Sequence, residues 1–363
     1  MEWSPQQDAA LSAVSRWLKR GDAPVFRLFG YAGTGKTTLA KQIAEDASGD
    51  VAFGAFTGKA ALVLRTKGCE GASTIHSMIY RATETDTETP AFTLNHDGAA
   101  SKAGLIIIDE CSMVDAELGR DLLSFDKPVL VLGDPAQLPP VKGGGFFTEA
   151  EPEVMLTEVH RQAAHNPIIR MSMAVREGGR LALGDYGDSR VIARRDINAT
   201  AVLDAGQVLV GTNKTRRAYN TRLRALRGFT DPMPMAGEKL VCLRNDRTKG
   251  LLNGGLWTVE TLRPKRKGFL RMVLRPEDDV GVKSAKVSVL PAFFEGHEGE
   301  LAYATRRESD EFDFGYALTV HKAQGSQWDE VVLFDESYAF REHRDRWLYT
   351  GLTRAAEKIT VVV

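Results

Sequence analysis

The chain has 363 residues, 43% of them apolar and 26% charged, with a formal net charge of −1. That length is too great for one comfortable core and sets an expectation of two or three domains of ordinary soluble composition. Near-neutrality excludes a uniformly basic nucleic-acid coat while leaving room for a local groove. No apolar run reaches the length of a membrane span, and Met1-Glu-Trp-Ser is not a signal peptide. Cys69, Cys111 and Cys242 are scattered without metal-ligand spacing, so the expected compartment is a reducing cytoplasm.

Ser4-Pro5-Gln6-Gln7 opens a helix expected to run to about Arg20 and stop at Gly21. Gln7 has two readings: the partner of Ser4 in a capping box, or a reader of the adenine edge that donates and accepts at once. Pro24–Phe29 is a short apolar run that reads as a buried strand, and Thr38–Ala47 reads as a helix. Between them Gly30-Tyr31-Ala32-Gly33-Thr34-Gly35-Lys36-Thr37 fits G-x-x-x-x-G-K-[ST]. Strand, glycine loop and helix in that order make an anion cradle running from Gly30 through Gly33, Thr34 and Gly35 to Thr38. Lys36 reaches the β/γ oxygens and Thr37 helps hold Mg²⁺.

Val51–Phe56 reads as a second strand, followed by Thr57-Gly58-Lys59 and a short helix. Ala72–Tyr80 reads as a capped helix start, in which Thr74 and His76 either face a ligand or serve as a cap and a core histidine. The segment 81–101, rich in Thr and acid, is expected to form a small protruding hairpin with Phe92 near its base, or a plain surface loop. Leu105-Ile-Ile-Ile-Asp109-Glu110 suits a parallel strand buried on both faces that ends in two carboxylates. In a phosphoryl-transfer site Asp109 would hold Mg²⁺ and Glu110 would polarise the attacking water, which is hydrolase chemistry. Val129–Pro140 adds another strand, with Gln137 placed to touch a γ-phosphate. The three strand ends converge on the edge where open α/β sheets bind ligands.

After Gly143-Gly-Gly145 the pattern restarts, with a helix over Pro167–Glu177, strands at Gln207–Lys214, Asp329–Phe334 and Lys358–Val363, and a basic helix over Thr215–Arg227. Asn213-Lys214 is similar to a guanine-specificity motif, but Arg216 stands where that motif needs aspartate. This second set has no glycine loop and no carboxylate pair, so it is expected to complete the first lobe's site rather than to be a second ATPase. Residues 252–313 show Gly/Pro punctuation and short alternating segments, read as a small inserted β-barrel. Between Arg244 and Arg275, nine Lys/Arg stand against two acids, Asp246 and Glu260. That basic stretch either faces nucleic acid or is a solvated turn. Arg161 and Arg354 are candidates for charge stabilisers delivered across a cleft, a role worth ~10³–10⁵ in rate.

Taken together, these stretches resemble the motif series of superfamily 1 DNA helicases of the RecD-like and Dda-like 5′→3′ group. Gln7 falls at the adenine-reading glutamine, Gly30–Thr37 at motif I, Thr57-Gly58-Lys59 at Ia and Ser73–His76 at Ib. Asp109-Glu110 matches motif II, Gly133–Gln137 motif III, Leu156–Gln162 motif IV, Ala317–Ser326 motif V and Tyr349–Ala355 motif VI. Gln327 departs from the pattern, since many relatives carry Glu there. The resemblance implies an α/β fold of two RecA-like P-loop NTPase domains. The first would be 1–155 with a hairpin insertion, and the second 156–363 with an SH3-like barrel at about 252–313. It implies ATP and Mg²⁺ as cofactors and makes Arg161 and Arg354 γ-phosphate arginines. Single-stranded DNA would be held by Thr57, Lys59, Thr74, His76, Phe92, Asn213, Thr319, His321 and Lys322, while the hairpin splits a duplex fork. A monomer is expected, working with a single-strand-binding, replication or recombination protein. The alternatives are a translocase on DNA or RNA that does not unwind, and a DNA-binding module switched by ATP without hydrolysis.

Overall fold

The apolar runs become strands because β-branched and Leu residues fill positions buried on both sheet faces. The computed structural model describes residues 3–83, 91–140, 144–158, 166–246, 248–277 and 283–363. They form two compact units, one from 3–83, 91–181 and 341–353, the other from 182–340 and 354–363. The expected boundary at 155/156 therefore falls inside the first unit. The helix Pro167–Arg176 packs on the helix Arg344–Leu352, and both belong to that unit.

The first unit holds strands β1 (Val25–Gly30), β2 (Val51–Ala55), β3 (Ser73–Thr74), β4 (Tyr80–Thr83), β5 (Ala91–Leu94), β6 (Leu105–Asp109), β7 (Val129–Gly133) and β8 (Val154–Leu156). Six of them form a parallel sheet in the order β3-β2-β6-β7-β1-β8. Successive residues of β6 serve opposite cores: Leu105 and Ile107 pack with Trp17, Leu39 and Ile43, while Ile106 and Ile108 pack with Ile75, Met78 and Phe29. Helices α1 (Pro5–Arg20), α2 (Lys36–Asp46), α3 (Gly58–Thr66) and α4 (Ile75–Ile79) follow the strand ends or flank them. The expected hairpin is present as β4 and β5, antiparallel from Tyr80↔Leu94 to Thr83↔Ala91. Phe92 pairs Ala82 on the third of these four rungs, further from the base than expected, and the hairpin's acidic tip lies outside the described residues. The insertion's last residues turn into a helix, Ala99–Lys102, instead of extending the hairpin.

The second unit holds β9 (Gly184–Tyr186), β10 (Ser189–Ile192), β11 (Gln207–Val210), β12 (Lys239–Cys242), β13 (Leu256–Arg266), β14 (Phe269–Pro276), β15 (Ala285–Val289), β16 (Phe312–Phe314), β17 (Ala317–Thr319), β18 (Trp328–Phe334) and β19 (Ala355–Val362). One sheet runs β17-β11-β18-β19-β10-β9, parallel except at β9. The inserted antiparallel sheet runs β15-β14-β13-β12-β16 and encloses Leu240, Trp257, Met272, Leu274 and Phe312. Its ends meet where Val289 bridges Asp310, whose N–H donates to Ser288 O at 2.9 Å. The insertion thus begins at Lys239, earlier than the expected 252, because its first strand is only four residues long. No helix among the described residues is long and apolar enough to cross a membrane.

Candidate functional site

The glycine loop leaves β1 at Gly30, where a Cβ would come within 2.6 Å of Thr34 Oγ1 and 2.8 Å of Leu156 Cβ. Gly33 and Gly35 adopt φ of 79° and 83°, a region open to glycine at little cost. Gly35 is the N-cap of α2, so the loop delivers the chain straight into a helix N-terminus. Lys36 Nζ rests on the loop, donating to Gly30 O at 2.6 Å and Tyr31 O at 3.0 Å. Thr38, beside it, is exposed.

Thr37 Oγ1 donates to Asp109 Oδ2 at 3.2 Å, which joins the loop to the end of β6. Glu110 follows at φ 53°, a strained conformation for a residue with a Cβ, and its N–H donates to Asp109 Oδ1 at 2.8 Å. The loop hydroxyl and the carboxylate fit Mg²⁺, which characteristically takes one or two protein groups and fills its shell with phosphate and water. Among the described residues no cluster of three or more His, Cys, Asp or Glu side chains offers a self-contained metal cage. Gln137 sits beyond β7 and is buried, its Oε1 meeting no partner among the described residues.

Gln7 takes the capping-box role read from the sequence. Its Oε1 accepts from Ser4 N–H at 3.1 Å, completing the capping box, and its Nε2 donates to Thr34 O at 3.1 Å. It braces the glycine loop, and both ends of its amide are engaged there.

Two contributors escaped the sequence reading. Tyr349 donates its hydroxyl to Asp134 Oδ2 at 2.5 Å and accepts from Ala32 N–H at 3.2 Å. Burial and the Asp134 carboxylate push its pKa well above the ordinary tyrosine range. The Arg176 guanidinium lies 3.5 Å from the centre of the Tyr31 ring. Tyr349 lies inside the motif VI stretch, where the resemblance implies a role for Arg354 alone; Arg176 carries no signal at all in the sequence.

The residues expected to hold a strand fall into a repeated local device. In the first unit Thr57 caps α3 and Thr74 caps α4, each accepting a backbone N–H with its hydroxyl at the end of neighbouring parallel strands β2 and β3. In the second unit Thr212 caps the helix Asn213–Leu226 after β11, and Thr319 caps the helix Val320–Ala323 after β17; these strands are again parallel neighbours. The sequences repeat as well: Thr57-Gly-Lys and Thr212-Asn-Lys, then Thr74-Ile-His and Thr319-Val-His. That repetition is the signal that would have placed Thr212 and Lys214 beside the expected Asn213. His76 is exposed, its ring 6.3 Å from Phe56 and 5.6 Å from Tyr80. His321 lies 5.4 Å from Phe340, and Lys322 is exposed. Lys59 is only 6% exposed.

The second sheet's own strand–helix junction cannot serve as a phosphate cradle. The Glu336 carboxylate occupies it, accepting from Gly211 N–H at 2.6 Å, Thr212 N–H at 3.3 Å and the Thr215 hydroxyl at 2.7 Å. Arg216, noted in place of a guanine-reading aspartate, instead pairs with Asp313 at 2.7 Å. Arg354 is 5% exposed and donates to Ser326 O at 3.2 Å. Arg161 lies outside the described residues.

A glycine loop on a parallel strand, with an acidic pair closing the next strand but one, defines a P-loop NTPase. The family profile described as "AAA domain" matches residues 2–196, and that of the UvrD-like helicase C-terminal domain matches 314–362. The chain is 32% identical to the ATP-dependent RecD2 DNA helicase of Deinococcus radiodurans over 363 residues, covering 91% of this chain and 46% of that protein. It is also 32% identical to the ATP-dependent DNA helicase Dda of phage T4, covering 58% of this chain and 54% of Dda. The chain thus spans about half the length of these curated relatives. The crystal structure of Bacteroides Pif1 bound to single-stranded DNA superposes with a TM-score of 0.59 at 17% identity, covering 99% of this chain and 92% of that one, a likeness of fold. The chain belongs to the AAA domain family, and its similarity to RecD2 and Dda supports the resemblance to the RecD-like and Dda-like group of superfamily 1.

Proposed function

We propose that the chain is the motor of an ATP-dependent DNA helicase that moves 5′→3′ along single-stranded DNA and opens duplex ahead of it. The observation that carries this reading is the joined set Lys36, Thr37, Asp109 and Glu110, with Thr37 hydrogen-bonded to Asp109 and Glu110 held at positive φ. Loop N–H groups and Lys36 bind the triphosphate, and Lys36 leaves the carbonyls of Gly30 and Tyr31 to do so. Thr37 and Asp109 hold Mg²⁺, which when bound neutralises charge on the β and γ oxygens. Glu110 accepts the proton of the water that attacks the γ-phosphorus, while Gln137, Arg354 and Arg161 touch the transferring group.

The Thr-x-Lys and Thr-x-His junctions of each lobe are the strand contacts, joined by Phe92 on the hairpin. Stacking a base on an aromatic ring is worth ~1–3 kcal/mol, comparable with the mean DNA stacking of about 1.4 kcal/mol per step. A His76 or His321 platform can therefore hold a base freed by fraying. The chain works as a monomer at a fork, alongside a single-strand-binding, replication or recombination protein.

ATP hydrolysis measured with and without single-stranded DNA tests the reading, and a DNA-independent rate would refute it. Lys36→Ala should abolish turnover. Glu110→Gln should keep nucleotide binding and lower kcat by ~10²–10⁴, and normal turnover in that variant would remove Glu110 from its role. Duplexes with 5′ or 3′ tails decide polarity and separate unwinding from bare translocation.

A further inference from the structure

We propose that the free end of the β13–β14 ribbon is a second nucleic-acid contact, one that grips the phosphate backbone of a duplex. The proposal rests on the helicase reading only for the identity of the polyanion. The two strands pair from Trp257↔Pro276 out to Arg266↔Phe269, with a register shift between Arg263 and Arg266. β12 flanks β13 only as far as Thr258, so the outer part of β13 is an edge, and residues 260–268 are all exposed.

Charge compensation stops where that edge begins. Near the barrel, Lys239 pairs with Glu277 at 3.1 Å and Arg275 approaches Glu260 at 3.8 Å. Beyond them, from Thr261 to Leu274, the chain carries Arg263, Lys265, Arg266, Lys267 and Arg271 and no carboxylate. Arg263 stands directly opposite Arg271, a like-charge cross-strand pair that opposes the folded ribbon. The turn is Lys267-Gly268, with φ of 50° and 83°, a geometry that favours Asn, Asp or Gly at its first position. A lysine there stores strain at the tip.

One lysine would suffice to blunt an edge strand against aggregation. Five cations, two of them face to face and one strained, are more than an edge guard requires and match the charge pattern of a polyanion contact. Pro264 lacks the N–H that a docking strand would use, which argues against a protein partner adding to this edge. Single-strand sites combine cations with exposed stacking rings; here Phe269, opposite Arg266 at the end of the ribbon, is half-buried, and residues 260–268 contain no aromatic side chain. A two-stranded ribbon fits a duplex groove, where its side chains flank the phosphates.

The test is the variant Lys265→Gln/Arg266→Gln/Lys267→Asn, whose substitutions are all exposed and whose last one relieves the turn. Blunt duplex DNA and a single-stranded oligonucleotide are titrated against the full chain across a salt series. The proposal expects duplex affinity to fall ~10-fold or more and the slope of log K against log salt to shrink by about 0.9 for each phosphate that the variant no longer neutralises. Single-strand affinity and single-strand-stimulated ATP hydrolysis should not change. Equal losses on both DNAs, or an unaltered duplex slope, would overturn it. So would a loss confined to binding of an acidic peptide included as a third probe. Because blunt-duplex binding is read without ATP, a failed helicase reading shows separately, as wild-type hydrolysis indifferent to single strands.

Discussion

Tyr349 shows how one hydroxyl can tie together segments that lie 317 and 215 residues away in the chain. At 1% exposure it holds both the glycine loop and the Asp134 carboxylate at the end of β7. Tyr349→Phe keeps the ring and removes both bonds, leaving a buried carboxylate oxygen short of a donor. The expected cost is about 1–3 kcal/mol in thermal or denaturant unfolding, with a raised KM for ATP from a looser loop and a smaller change in kcat. Tyr80, Tyr316 and Tyr349 all have pKa values raised above the usual range, first by burial; that of Tyr316 is pushed up to about 12. The folded state favours the protonated phenol, so their contribution is complete below the unfolded pKa of about 10 and is lost as pH rises beyond it. Stability measured against pH should therefore fall in the alkaline limb above about pH 10, and less steeply in Tyr349→Phe.

Elements in this fold are held in place by interactions between neighbours that the local pattern does not announce. Arg224, on the helix Asn213–Leu226, pairs with Glu238 at 2.6 Å, and the Glu238 side chain is 0% exposed. Arg224 also donates to Asp231 O and Met233 O and covers the Phe314 ring at 3.8 Å. Arg224→Ala would strand that carboxylate in the interior, so chemical denaturation should show a loss of about 3–5 kcal/mol. At the end of β7, a Cβ on Gly133 would lie 2.5 Å from Cys111 Sγ. Gly133→Ala should destabilise by about 1–3 kcal/mol through overpacking, and the double variant with Cys111→Gly should recover most of that loss. At the start of the second sheet's helix the Glu336 carboxylate already takes the Gly211 and Thr212 N–H groups that would otherwise face an anion there.

Across the whole molecule, a nucleotide that binds only the folded state must raise its stability. An ATP analogue with Mg²⁺ at 100 times its Kd should add about 2.7 kcal/mol, seen as a shift in melting temperature, and Lys36→Ala should lose it. The glycine loop, the Asp109-Glu110 pair and the capped helix start at Thr74 were legible in the sequence, because the chemistry of each sits in adjacent residues. The two RecA-like sheets followed from the same local runs. The grouping of Arg344–Leu352 with the first unit was not legible, nor were the Tyr349 bridge, the Arg176 stack, the Arg216–Asp313 pair or the start of the barrel at Lys239. Those depend on which distant surfaces meet when the sheets bury their faces. By itself, then, the sequence determined that one lobe carries a P-loop and an acidic pair, the residue types a nucleoside triphosphate site requires. Only the tertiary structure decided which residues brace that site and which cations find no ion-pair partner among the described residues, because both follow from packing between segments far apart along the chain.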